Sequence, residues 1–194
     1  MHAESLLGSR GPAAPQPNNP RAFMDIRIGD IPVGQLVFET EDRQLRKDLA
    51  TRTCENFLKL CSGAAGLSDS GFELCYKGCA FHRIVPNEVC QCGDFTKEDG
   101  TGGESVFGAD FEDETFAMTH AGPGVLSMVN SGPDSNRSQF FITFARMPSL
   151  DNHHVVFGYV IEGMDILRRI EACGSMSGKP RQTVTVSDCG IVRE

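Results

Sequence analysis

Four cysteines fall close together as Cys75-x3-Cys79 and Cys90-x-Cys92. Grouped thiolates can hold a zinc ion, but structural zinc sites space both pairs by two to four residues. Cys90 and Cys92 in a strand would point to one face, a single step apart. The four are therefore read as buried or free thiols. Gly100-Thr101-Gly102-Gly103 could cradle a phosphate, but it lacks Gly-Lys-Ser/Thr and a strand-to-helix setting. It reads as a tight surface turn. No Gly-x-Ser-x-Gly is present, and no Ser or Cys stands in a hydrolase context. His153-His154 precedes the apolar run Val155–Val160, where a histidine read alone is a structural hydrogen bonder.

The elements that must position such residues are bounded by composition. The chain has 194 residues, with 13 Phe, 2 Tyr and no Trp. Phe supplies buried area without a polar handle, so this is core-building composition. A hydrophobic fraction of 40% with 23% charged residues excludes wholesale disorder. A net charge of −8 argues against a strongly basic nucleic-acid surface and leaves room only for a local patch. No stretch approaches the roughly 18 apolar residues of a membrane helix, and the first 20 residues hold no signal-peptide core. The expected location is the cytoplasm, with the nucleus possible. The 8 cysteines are then expected as reduced thiols, and Asn136-Arg137-Ser138 is an idle glycosylation acceptor.

Residues 1–21 read as a disordered tail containing Pro, Ala and Asn; residues 22–194 read as one domain. Phe23–Ile28 and Ile31–Glu39 alternate with period two about Gly29-Asp30, a hairpin. Glu41–Asp48 reads as a solvated loop or frayed helix start. A helix is expected over Thr51–Ser62, with Cys54, Phe57, Leu58 and Cys61 as its buried stripe and Gly63 as its stop. Residues 63–77 form a surface loop. Short apolar runs follow at Ala80–Val85, Val89–Cys92, Val125–Val129, Gln139–Thr143 and Val155–Ile161. A second helix spans Gly163–Cys173, with Met164, Leu167 and Ile170 inward. Thr183–Val186 and Gly190–Val192 close as strand. About eight short strands and two helices favour a mainly β protein built as a closed barrel, which leaves no sheet edge.

Longer motifs carry more information. Phe81-His82-Arg83-Ile84-Val85-Pro86, Cys90-Gln91-Cys92-Gly93-Asp94-Phe95-Thr96 and Gly100-Thr101-Gly102-Gly103-Glu104-Ser105 closely resemble the cyclophilin peptidyl-prolyl isomerases. So do Phe111-Glu112-Asp113-Glu114, Gly122-Pro123-Gly124-Val125-Leu126-Ser127-Met128, Ser138-Gln139-Phe140-Phe141-Ile142 and His154-Val155-Val156-Phe157-Gly158. The resemblance runs from about Phe23 to Val192. It implies a closed eight-stranded antiparallel barrel capped by two α-helices. It also implies an enzyme that rotates Xaa–Pro amide bonds in peptides and folding proteins, usually as a monomer, with no metal or cofactor.

By that resemblance Arg83 is the cation that hydrogen-bonds the prolyl carbonyl and approaches the nitrogen. Its place in an apolar run fits a surface charge poorly. Gln91 orients Arg83 and binds substrate backbone. Phe141, Leu150 and His154 line the proline pocket. Asn130 binds the backbone of the preceding residue, with Val129 and Ser131 beside it. Gln139 and the turn from Gly100 border the neighbouring pocket.

Three positions depart from the family pattern. Glu88 and Val89 stand where Phe and Met usually floor the proline pocket. Glu88 must face solvent or pair with Arg83, because a buried unpaired carboxylate costs several kcal/mol. Ser149 stands where many members place a Trp that helps bind cyclosporin. The expectation is weak cyclosporin binding and a lowered or substrate-shifted rate; the alternative is a proline-peptide binding module with little turnover. The long 63–78 loop, Cys61, Cys189 and Glu104 together resemble the divergent-loop subgroup. That likeness implies a redox pair, Cys61 with Cys189, and a contact from Glu104 to the loop.

Overall fold

The computed structural model describes residues 19–40 and 50–192. Most of the expected tail and the charge-dense Glu41–Asp48 stretch lie outside the described residues. Period-two alternation forms the opening hairpin, β1 (Arg21–Ile28) and β2 (Ile31–Thr40). Ala22, Met24 and Ile26 of β1 face inward, as do Leu36 and Phe38 of β2. Six more strands follow: β3 (Arg83–Val85), β4 (Val89–Cys92), β5 (Val125–Met128), β6 (Phe140–Thr143), β7 (Val156–Glu162) and β8 (Val184–Ile191). They form one antiparallel eight-stranded sheet in the order β3-β4-β6-β5-β7-β2-β1-β8.

The expected closed barrel is corrected to an open, curled sheet with β3 and β8 as its edges. β3 is three residues long, and the main chain of Ile84 is already engaged on its outer side. Its N–H donates to Gly178 O at 2.8 Å, and its carbonyl accepts from Ser175 N at 3.1 Å. Contact with β8 falls to the residues ahead of β3. There, an isolated Ala80–Thr185 bridge and the bonds Phe81 N to Val184 O and Val186 N to Cys79 O span the seam.

Helix α1 (Thr51–Ser62) stops at Gly63, whose φ of 66° suits a residue without Cβ. Its buried stripe is Cys54, Phe57, Leu60 and Cys61; Leu58, expected inward, is only half-buried. No residue of its own first turn caps it. Glu114 does so from elsewhere in the chain, accepting from Arg52 N (2.8 Å) and from Thr53 N and Oγ1 (both 2.7 Å). Helix α2 (Met164–Ala172) buries Ile166, Leu167 and Ile170. Phe57 of α1 sits inside the curl against Phe38, Tyr76, Phe140 and Phe157, with centroids 5.2–5.6 Å apart. Such edge and tilted contacts add stability beyond area burial. The Tyr76 hydroxyl donates to Ser138 O at 2.6 Å, so this buried polar tip is satisfied.

Candidate active site

Strand register brings the chemistry together. Arg83 pairs with Gln91, Gln91 with Phe141, and Phe141 with Ser127. Directly paired residues in an antiparallel sheet share a face, so these four make one row across β3, β4, β6 and β5. The next residue in each strand gives Ile84, Cys90, Ile142 and Leu126, all 0% exposed on the core face. Cys92 follows Cys90 by two and lies on that core face, where it is buried. Val89 falls on the same face as Arg83, in the next row, opposite Val85 and Thr143.

Arg83 is half-buried, and among the described residues its guanidinium has no hydrogen-bond or ion-pair partner. Gln91 beside it is also half-buried. Phe141 is 2% exposed, held between two imidazoles. His120 stacks on its ring at 5.5 Å and 17°, and His154 meets it edge-on at 5.3 Å and 85°. His154 Nδ1 lies 3.0 Å from Met128 O. A carbonyl can only accept, so Nδ1 carries the proton and Nε2 is left as an acceptor. Burial lowers the pKa of His154, and the Met128 bond only partly opposes this.

His120, Ser127 and Asp151 belong to this site although sequence reasoning did not single them out. His120 Nδ1 is 2.8 Å from Asp151 Oδ1, and Nε2 is 3.0 Å from Ser127 Oγ. Ser127 Oγ donates its one proton to Val155 O at 3.0 Å, so towards Nε2 it stands as an acceptor. Burial lowers the His120 pKa, against the pull of Asp151. The connectivity is that of an acylating triad, but Ser127 is 0% exposed. It pins the imidazole that stacks on Phe141 and cannot reach a substrate. These three residues share no periodicity, and only the folded register relates them.

A second group borders the row. Gln139 Nε2 donates to Gly100 O (3.0 Å) and Gly102 O (2.8 Å). The same turn wraps the Asp94 carboxylate, which accepts from Thr96 Oγ1 and from the N–H groups of Thr96, Lys97, Gly100 and Gly102. Burial pushes this carboxyl up, but the Lys97, Gly102 and Gly100 donors outweigh it and hold the pKa at about 2. Gly100 has φ of 88°, and a Cβ there would meet the His82 ring at 2.9 Å. Both ring nitrogens of His82 are buried with no hydrogen-bond partner at bonding distance among the described residues, and burial lowers its pKa.

Asn130 uses its side chain internally: Nδ2 donates to His153 O at 2.7 Å. Its own main-chain groups make no bond to another described residue. Val129 N donates to Gln139 O, which extends the β5–β6 pairing, while Ser131 is exposed. The 3-10 turn Pro148–Leu150 supplies half-buried Leu150, followed by Asp151. Ser149 is exposed.

Glu88 lies in the β3–β4 turn, exposed, and among the described residues forms no ion pair with Arg83. Glu104 makes no hydrogen bond or ion pair with the 63–78 loop among the described residues; its charge acts on Arg137. Cys189 Sγ lies 3.9 Å from Cys75 Sγ, a neighbour not expected from the sequence. Cys61 is fully buried beside that pair.

The fold and this face define a class: an antiparallel β protein offering a cation, unpaired among the described residues, beside an aromatic and imidazole floor. Residues 23–191 match the family model described as cyclophilin type peptidyl-prolyl cis-trans isomerase/CLD, and the chain belongs to that family. It is an isomerase of Xaa–Pro bonds in peptides.

Proposed function

We propose that this isomerase works through Arg83, in a proline pocket that has lost aromatic cover at Glu88 and Ser149. One observation carries the reading: a half-buried guanidinium without a partner among the described residues lies in one strand row with Gln91 and Phe141. Rotation about Xaa–Pro must overcome amide resonance worth about 18–20 kcal/mol. A donor at the prolyl carbonyl fixes the ring side, and a cation near the nitrogen favours its lone pair once resonance is broken. The stabilisation is present before rotation begins and acts on the twisted amide. Phe141, Val89, Leu150 and His154 supply the wall for the ring. The free main-chain groups of Asn130 hold the preceding residue, with Val129 and Ser131 alongside.

Glu88 decides between turnover and simple docking. Paired to Arg83 it would neutralise the cation; facing solvent it leaves the cation intact. The outward position favours an enzyme over a binding module with little turnover. The reduced rate we propose therefore arises in binding, because Glu88 and Ser149 cover less of the proline ring. Cyclosporin binding is weak for the same reason at Ser149. Folding proteins are the natural clients, met by a monomer in the cytoplasm or nucleus.

NMR exchange spectroscopy on a short Ala-Pro peptide tests the reading. The intact chain should broaden and exchange the cis and trans lines. Arg83→Ala should slow exchange by about 10²- to 10³-fold, the scale of losing one preorganised donor, with peptide shifts on binding retained. Binding without exchange by the intact chain would instead establish the docking module.

A further inference from the structure

No polar partner among the described residues orients Arg83, so packing must do so. Gln91 stands on one side of it. On the free edge of β3 stands the loop that follows α2. Ser175 N and Gly178 O take both main-chain groups of Ile84. The loop is closed on itself by Gly178 N to Ser175 O (3.0 Å) and by Ser175 Oγ to Lys179 O (2.7 Å). Its base is closed by Arg181 N to Cys173 O at 2.7 Å.

Two glycines let this loop approach. A Cβ on Gly174 would lie 2.7 Å from both Ile84 Cγ2 and Ile84 O. A Cβ on Gly178 would lie 3.0 Å from Arg83 Cγ, 3.3 Å from Nε and 3.5 Å from Val85 Cγ2. Gly178 is itself buried. Its bare Cα thus forms the wall against which the Arg83 stem and the root of the guanidinium rest.

We infer that Gly178 is a positioning residue for Arg83, and that the Gly174–Lys179 loop is a working part of the site. The inference rests on the assignment of Arg83 as the catalytic cation. Displacing Nε by a fraction of an ångström moves every guanidinium donor, and misplacement of about 1 Å can cost 10²-fold in rate.

Gly178→Asn is the informative variant. Asn tolerates a positive φ, so the backbone at φ of 83° is retained while a Cβ enters against Arg83. Turnover is expected to fall about 10- to 100-fold with KM little changed, and the Arg83 Nε–H resonance should shift. Ser175→Ala, which loosens the loop without touching Arg83, should give a smaller fall of the same kind. In an Arg83→Ala background, Gly178→Asn should cost no further turnover. The inference is overturned if Gly178→Asn lowers turnover by the same factor with and without the guanidinium, or if the Nε–H resonance stays in place. Should Arg83→Ala itself leave turnover intact, the assignment of Arg83 fails separately, and the Nε–H resonance still decides whether Gly178 positions that side chain.

Discussion

Glu88 is the residue at which the chain departs most from an apolar pocket, and its effect can be measured in isolation. Glu88→Phe should lower KM about fivefold, since covering about 40 Å² more of a proline ring at ~25 cal/mol per Å² contributes about 1 kcal/mol. The kcat should change little, because the carboxylate does not reach Arg83; a kcat rise with constant KM would contradict this placement. Glu88 was legible as a departure from the family pattern, and its exposure followed from the cost of burying a lone carboxylate. His120 and Asp151 were not legible. His120 reaches Ser127 from 7 positions before it, Asp151 reaches His120 from 31 positions after it, and no spacing rule links them.

At the scale of elements, the Asp94 turn and α1 both depend on carboxylates. Asp94→Asn replaces an acceptor oxygen by a donor facing buried N–H groups, and should cost about 2–4 kcal/mol. The ordinary carboxyl value is 3.8 and the folded value about 2, so Asp94 stabilises above pH 3.8 and loses that effect as pH falls toward 2. Chemical denaturation at pH 7 and pH 3 checks both size and sign. The loop before β3 makes a different prediction. Under oxidised glutathione, Cys75 and Cys189 should lose two protons and two electrons to form a disulfide, reducing one glutathione disulfide to two thiols. Burial and the neighbouring Cys75 push the Cys189 thiol up, so the reaction should speed up with rising pH. Peptide mapping should find Cys75–Cys189 with Cys61 still reduced; a Cys61–Cys189 link would refute the assignment. Element boundaries show where local pattern suffices. The helix Thr51–Ser62 and the strand Val89–Cys92 were readable directly, because their periodicity and the Gly63 stop are local. β8 looked like two pieces because its pairing with β1 shifts register between Asp25 and Ile26, which resets the alternation around Ser187-Asp188-Cys189.

Among the described residues, burial lowers the pKa values of three histidines, His82, His120 and His154, below 6.5. Unfolding lets them take up protons, so stability should rise with pH up to about 6.5 and level off above it. Thermal melts from pH 5 to pH 8 should show that plateau; a melting temperature falling across this interval would exclude the assignment. The eight-stranded topology was legible in outline, through strand count and motif order. Its open seam was not, because closure depends on whether the three residues of β3 meet β8 or the loop after α2. The sheet order has a consequence for how the protein is made. The first strand lies between the second and the last, and Glu114 must arrive before α1 has its cap. A nascent chain leaving the ribosome therefore holds an uncapped helix until Glu114 is made, and an unpartnered hairpin edge until β8 is made. A protein that isomerises Xaa–Pro bonds is thus itself slow to complete its sheet, because β1 finds its second neighbour only about 160 residues further along the chain.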